Sequence, residues 1–166
     1  MRHFLRLFAT CCALLGLARC VPAPDVEPSA CKNPKPATAE LGTGDLNTGF
    51  KPLADGDNAL VTLGPQGLHM ILVSVKLTGF ETPAAGSGRS QLWLSVRNQD
   101  TFLGAIPAQE KPVTIDSNTV VFLGLRPVMT LDNVSDYFGK LSEVDVTIRD
   151  GCDRLIHARR TVRLVQ

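Results

Sequence analysis

The chain has 166 residues, with 17 Lys and Arg, 16 Asp and Glu, and a formal net charge of +1. Residues 1–19 hold three of the arginines and no acidic residue, so a chain that begins at Cys20 has 14 basic residues against 16 acidic ones. Such a nearly neutral domain has no long-range field to attract a polyanion, which excludes nucleic acid as an expected partner. Its length suits one domain with its own core.

The first 20 residues have the pattern of an export signal that ends on a cysteine. A basic start at residues 2–6 precedes the apolar residues 7–18, and Leu17-Ala18-Arg19-Cys20 resembles a lipobox. We therefore expect residues 1–19 to be a signal peptide and Cys20 to carry a lipid. The protein would then be exported and anchored to a membrane of the cell envelope, facing the periplasm or the cell exterior.

Two other outcomes stay open for this segment, because Arg19 stands where lipoprotein signals have a small residue. Ordinary signal-peptidase cleavage has one nearby match, Val21 to Ala23, which is followed by Pro24. An uncleaved membrane anchor is less favoured still, since 12 apolar residues fall short of the roughly 20 that span a bilayer.

Residues 21–37 contain five of the chain's 11 prolines and almost no large apolar side chain. Such a stretch favours the extended polyproline II conformation. The predicted organisation is therefore a signal peptide at 1–19, a lipidated cysteine and stiff tether at 20–37, and one domain at 38–166.

Two cysteines remain once the signal is removed and Cys20 is acylated. Cys31 and Cys152 lie 121 positions apart, which is far from the close spacing of a metal knuckle. In an oxidising compartment an even remainder favours a disulfide, so we expect these two to be bonded and no metal or cofactor to be present.

The rest of the chain has the turn spacing of β-structure. Apolar, β-branched runs alternate with Gly, Asn and Asp turns about every 8 to 12 residues, which predicts an all-β, antiparallel, immunoglobulin-like sandwich of seven to eight strands. The predicted strands are 59–63, 68–78, 91–97, 102–106, 113–115, 119–125, 142–149 and 154–165, with a helical turn only at 133–139.

Residue parity predicts the last hairpin. Val144, Val146 and Ile148 share one face of their strand, and the apolar residues of the final strand also share one parity. An odd-numbered loop is needed to pair the two buried faces. A turn centred on Gly151 would set Asp145 opposite His157 and Glu143 opposite Arg159, with Cys152 in the turn.

The segment from residue 38 to 80 has three Gly-rich motifs: Glu40-Leu41-Gly42-Thr43-Gly44, residues 50–57 (FKPLADGD) and residues 64–69 (GPQGLH). Together they resemble uncharacterised exported, lipid-anchored proteins of myxobacteria. The resemblance implies an immunoglobulin-like sandwich and no known activity. The cysteine pair on facing strands of antibody domains is missing here, so only the architecture is implied.

Catalytic and metal motifs are weak. A hydrolase would need a Gly-x-Ser-x-Gly elbow or a thiolate beside a histidine, and the chain has neither pattern. His69 is expected to be a buried, hydrogen-bonded imidazole and His157 the partner of Asp145. The acidic residues at 45, 55 and 57 lack the order of an EF-hand loop and are expected to cap their own turns.

Three aromatic side chains form the candidate partner surface. Trp93 has the opposite parity from Leu92, Leu94 and Val96, so it is expected to face outward, where it can stack on a sugar or be covered by Arg stems. Tyr137 and Phe138 are expected at the end of the domain farthest from the tether, together with residues 64–67.

We therefore expect a non-enzymatic binding or structural module whose partner is an envelope protein or a glycan. A glycan-binding module that uses Trp93 is the first alternative, and it requires a second coplanar aromatic. A periplasmic hydrolase is the second, and it requires a carboxylate or serine within hydrogen-bond reach of His69 or His157.

Overall fold

The computed structural model describes residues 29–32, 34–82, 91–108 and 112–166. These residues form an all-β fold with a short helical turn, α1, before the strands and a 3-10 turn, η1, late in the chain. The elements are α1 (Ser29–Lys32), β1 (Thr38–Thr43), β2 (Lys51–Pro52), β3 (Asn58–Leu63), β4 (His69–Ile71), β5 (Val73–Thr78), β6 (Gln91–Asn98), β7 (Thr101–Ala108), β8 (Val113–Thr114), β9 (Thr119–Leu125), β10 (Val128–Met129), η1 (Val134–Tyr137), β11 (Leu141–Arg149) and β12 (Leu155–Val165).

The strands make two sheets. One is open and antiparallel, with the order β2-β1-β5-β9-β8, and the other closes on itself as a seven-stranded barrel, β10-β4-β3-β12-β11-β6-β7. All pairings are antiparallel except that of β12 with β3. The chain crosses between the two sheets five times: from β2 to β3, from β4 to β5 at Leu72, from β5 to β6, from β7 to β8 and from β9 to β10.

The predictions of an all-β class and of mostly antiparallel strands are confirmed. The immunoglobulin-like sandwich is not confirmed, because one of the two sheets is closed and a sandwich consists of two open sheets. Closure depends on the parallel pairing of Arg163, Leu164 and Val165 with residues 58–60, about a hundred positions away. Strand patterns in the sequence do not report such a distant pairing.

Both sheets contribute to one hydrophobic core. Leu41, Val75 and Leu77 come from the open sheet, and a larger set comes from the barrel. Phe80 and Phe122 meet edge to face within it, with ring centroids 6.3 Å apart. The barrel's share includes Leu92, Leu94, Val96, Val144, Val146, Ile148, Val162 and Leu164, the residues whose parity marks the inward faces of β6, β11 and β12.

The predicted strands are all present to within a few residues, with the run 68–78 divided at Leu72. β1, β2 and β10 were not predicted; the last two have only two residues each, and β1 lies in a polar, Gly-rich stretch. The helical turn expected at 133–139 is η1.

The predicted register of the last hairpin is wrong by two residues. Asp145 lies opposite Arg159 and Thr147 lies opposite His157, so the turn is centred on Cys152 rather than Gly151. The odd-numbered loop is confirmed, since residues 150–154 connect the strands and both buried faces point inward. Within this longer loop Asp150 accepts hydrogen bonds from the backbone of Cys152 and Arg154.

Candidate functional site

Cys31 and Cys152 form a disulfide, as predicted. It joins α1 to the β11–β12 loop, and a backbone hydrogen bond beside it joins the same loop to the segment after β5. Gly151 N donates to the carbonyl oxygen of Glu81 at 2.7 Å, which brings the start of the segment after β5 to the same place. We call this group of residues, 29–37, 79–82 and 150–154, the disulfide end of the domain.

A buried ion pair lies beneath the disulfide. The Asp150 side chain is fully buried, and its carboxylate accepts hydrogen bonds from Arg154 Nε at 2.9 Å and Nη2 at 2.6 Å. The backbone N–H groups of Cys152 and Arg154 donate to the other oxygen. Arg154 also donates to the carbonyl oxygens of Lys35 and Gly79, so one guanidinium connects the incoming chain, the end of β5 and the final loop.

The charge of Asp150 depends on these donors. Burial opposes ionisation and is the largest single influence on its pKa, but the hydrogen bonds from Arg154 and from the backbone of Arg154 and Cys152 together outweigh it. They hold the pKa of Asp150 below its ordinary value of 3.8. The carboxylate is therefore ionised at neutral pH.

Close packing fixes the incoming segment on the domain. Gly79 has a φ of +69°, and a Cβ there would overlap the carbonyl oxygen of Pro36. Residues 34–37 are therefore held against the end of β5. The predicted signal peptide, Cys20 and residues 20–28 of the tether lie outside the described residues.

Residues 64–67 and 131–140 lie at the other end of the barrel, as expected. β11 runs from residue 141 to residue 149 at the disulfide end, so residues 131–140 precede it at the opposite end. β12 runs away from the disulfide end and β3 is parallel to it, so the β3–β4 turn also lies at the opposite end. Tyr137 and Phe138 are half-buried and pack against the core, and Lys140 Nζ lies 5.1 Å from the centroid of the Tyr137 ring. The two rings are therefore only partly available to a partner.

Trp93 faces outward from β6, with 42% of the residue exposed. The Arg149 guanidinium carbon lies 6.0 Å from its ring centroid, and Thr147 and Pro107 are its cross-strand neighbours. Phe102 is 41% exposed, and its cross-strand neighbour is Arg97, which lies four residues after Trp93 on β6. Among the described strands no second exposed aromatic lies beside Trp93, so the pair of coplanar rings that the glycan alternative requires is not formed by register neighbours.

The two histidines of the described residues lie in different settings. His157 is exposed, and its Nδ1 lies 2.9 Å from Thr147 Oγ1, while the expected partner Asp145 instead pairs with Arg159 at 3.0 Å. The prediction that His157 pairs with Asp145 is wrong, because the loop is centred one residue later. His69 is half-buried at the start of β4, so the expectation of a fully buried imidazole there is also wrong.

Asp45 and Asp57 cap their own turns, as expected, whereas Asp55 bonds the distant backbone of β12, so the expectation is wrong for Asp55. Asp45 Oδ1 accepts from the N–H groups of Asn47 and Thr48, Asp57 accepts from Ala54 N, and Asp55 accepts from Thr161 N. The described residues include no group of three or more His, Cys, Asp or Glu side chains placed to hold a metal ion.

A cleft of about 400 Å³ lies at the seam between the open sheet and the barrel. Its walls come from the outward face of β3, the end of β1, Leu53, and two of the five segments where the chain crosses between sheets. Sequence reasoning missed it, because its residues come from five separate stretches of the chain. They are Thr43, Leu53, Asn58, Ala59, Leu60, Thr62, Leu72 and Arg126.

No protein-family model matches the chain, and no curated protein matches its sequence at a significant level. The resemblance to exported myxobacterial proteins therefore stays a prediction. Within the part of the chain that the structure describes, no helix is both long and apolar enough to cross a membrane.

Proposed function

We propose that the chain is an exported, lipid-anchored and non-enzymatic binding module of the cell envelope. The observation that carries the proposal is the Cys31–Cys152 disulfide at the end of the domain where the chain enters. Disulfides persist in oxidising compartments and are rare in the reducing cytosol. The bond therefore supports the export that the N-terminal signal pattern predicts.

The position of the disulfide also supports the tethering of the domain. Eleven positions separate Cys20 from Cys31, and an extended polyproline II segment covers about 3.1 Å per residue. A lipid on Cys20 would hold the disulfide end within roughly 34 Å of the membrane. Residues 64–67 and 131–140 would then point away from it, toward partners in the envelope.

Replacing Cys20 with serine is expected to move the protein from the membrane fraction to the soluble fraction, because serine cannot accept the thioether-linked lipid. Cys11→Ser is the matched control, since it also removes one cysteine but lies in the apolar part of the signal. Immunoblots of separated membranes and soluble extract provide the measurement. Retention of Cys20→Ser in the membrane, or a soluble parent protein, contradicts lipid anchoring.

Glycan recognition by Trp93 is the second candidate function. An exposed Trp beside the polar side chains of Thr147 and His157 supports it, since sugars bind an aromatic face together with nearby hydrogen-bonding groups. The Arg149 guanidinium over the ring counts against it, because a sugar would have to use the same surface or displace it.

The Trp93→Ala variant tests this second candidate by co-sedimentation with purified peptidoglycan. If Trp93 is the platform, retention should fall about tenfold, in line with the loss of one stacked aromatic anchor. Phe102→Ala, which removes an aromatic of nearly equal exposure, should leave retention unchanged. Equal retention of both variants, or none by the parent protein, excludes peptidoglycan recognition through Trp93.

A further inference from the structure

The seam cleft has the composition of a ligand site. Its volume of about 400 Å³ is within the range of small-molecule pockets, which are mostly apolar with a few polar groups that fix orientation. Leu53, Leu60 and Leu72 provide apolar surface, and among the described residues Arg126 is the only charged one in the lining. Leu60 is 55% exposed, which leaves apolar area uncovered in the cleft.

The backbone of Arg126 is restricted at the cleft by its position in the chain. It lies between β9 and β10, where the backbone crosses from the open sheet to the barrel, and Pro127 follows it. A residue before proline is restricted to extended backbone conformations, which limits the direction in which its Cα–Cβ bond leaves the chain. Within the described residues no ion pair engages its guanidinium.

The Asp45 carboxylate, on which Arg126 has a weak electrostatic influence, already has hydrogen-bond donors of its own. The Asp45 carboxylate accepts hydrogen bonds from Asn47 and from the backbone and hydroxyl of Thr48, and these bonds lower its pKa, with Arg126 contributing least. Asp45 thus serves its own turn and lies beyond ion-pair distance of Arg126. The positive charge in the cleft remains available to a ligand.

The surrounding backbone is fixed before any ligand binds. Ser74 is fully buried; its hydroxyl donates to the Gly44 carbonyl oxygen at 2.8 Å and accepts from Gly124 N at 3.2 Å. Thr43 Oγ1 donates to the Leu72 carbonyl oxygen. These bonds join the end of β1 to Leu72, to β5 and, through Ser74, to the end of β9, so the walls keep their spacing.

We propose that this cleft binds an amphipathic monoanion, a carboxylate with an alkyl chain. The chain would lie on Leu53, Leu60 and Leu72, and the carboxylate would accept hydrogen bonds from Arg126, with the Asn58 amide beside it. One guanidinium matches one negative charge, and the lining contains no aromatic side chain for a sugar or a nucleobase to stack on. The proposal does not depend on export or on the lipid anchor.

The test uses the full chain carrying Cys20→Ser, purified without detergent because detergent would compete for the cleft. Octanoate is titrated while backbone amide chemical shifts are followed by NMR. Shifts are expected at residues 58–62, Leu72 and Arg126, with a Kd on the order of 1 mM for so small a ligand. The neutral isostere octanamide should bind about tenfold more weakly, because it lacks the charge that pairs with Arg126.

Two variants locate the binding. Arg126→Gln should weaken octanoate about tenfold and leave octanamide unchanged, and Leu60→Asp should abolish both. Leu155→Asp is the matched control, since Leu155 is 54% exposed on β12 and lies outside the cleft lining. Equal binding of octanoate and octanamide, unchanged binding to Arg126→Gln, or shifts spread over the whole surface would overturn the proposal.

Discussion

Replacing Cys31 or Cys152 with serine is expected to lower the free energy of unfolding by about 2 to 5 kcal/mol. The disulfide closes a loop between residues 121 positions apart, so its loss allows the unfolded chain many more conformations. In the folded state, loss of the disulfide also releases α1 from the β11–β12 loop. Urea denaturation of the oxidised parent and of each single variant measures the effect.

The double variant provides the internal control. Because both cysteines contribute to one bond, the double variant should lose no more stability than either single variant, whereas two independent roles would add. Cys11→Ser, within the predicted signal peptide, should not change the stability of the mature protein. Alkylation of both thiols in freshly purified, non-reduced protein would contradict the bond itself.

Asp150→Asn is expected to destabilise the domain by about 3 kcal/mol. The substitution leaves the Arg154 guanidinium without its counter-ion, although the Arg154 side chain is only 23% exposed. The new amide N–H₂ group would also face the donors of Arg154. Asp153→Asn is the matched control from the same loop. Its side chain is 88% exposed and lies 3.7 Å from Arg149, so its loss should cost less than about 0.5 kcal/mol.

The same carboxylate gives a pH dependence of known direction. Since the pKa of Asp150 is lower in the folded protein than its ordinary value of 3.8, the unfolded state takes up a proton first as the solution is acidified. Its contribution to stability is complete above about pH 5, begins to fall as the unfolded carboxyl takes up its proton, and is lost as the pH falls through the folded pKa. Urea midpoints from pH 7 to pH 2 should fall less steeply for Asp150→Asn than for the parent protein; equal slopes would contradict the assignment.

Much of the fold could be predicted from the alternation of side chains. The inward faces of β6, β11 and β12 follow the parity of Leu92, Val144 and Val162, since a strand buries every second residue. Closure of the barrel could not be predicted, because it depends on contacts between distant segments. Gly104 is one example: its lack of a side chain lets the backbone of β10 pass at Val128, and only the structure reveals the neighbour.

The candidate sites differ in the same way. The disulfide followed from counting cysteines, and the outward direction of Trp93 followed from strand parity. The Asp150–Arg154 pair was missed because Asp in an Asp-Gly sequence is typical of an exposed turn, and the pair's contacts with Lys35, Gly79 and Glu81 come from distant parts of the chain. Arg126 was missed because an Arg-Pro pair in a sequence indicates no binding site, and the cleft beside it is formed by residues from distant parts of the chain.

Export with a lipid on Cys20 is the central claim, and the mass of the mature N-terminal peptide tests it most directly. Protein purified from membranes is digested, and its N-terminal peptide is analysed by mass spectrometry. The account predicts a peptide that begins at Cys20 and carries a diacylglyceryl group. An unmodified N-terminus that begins beyond Cys20 would contradict it.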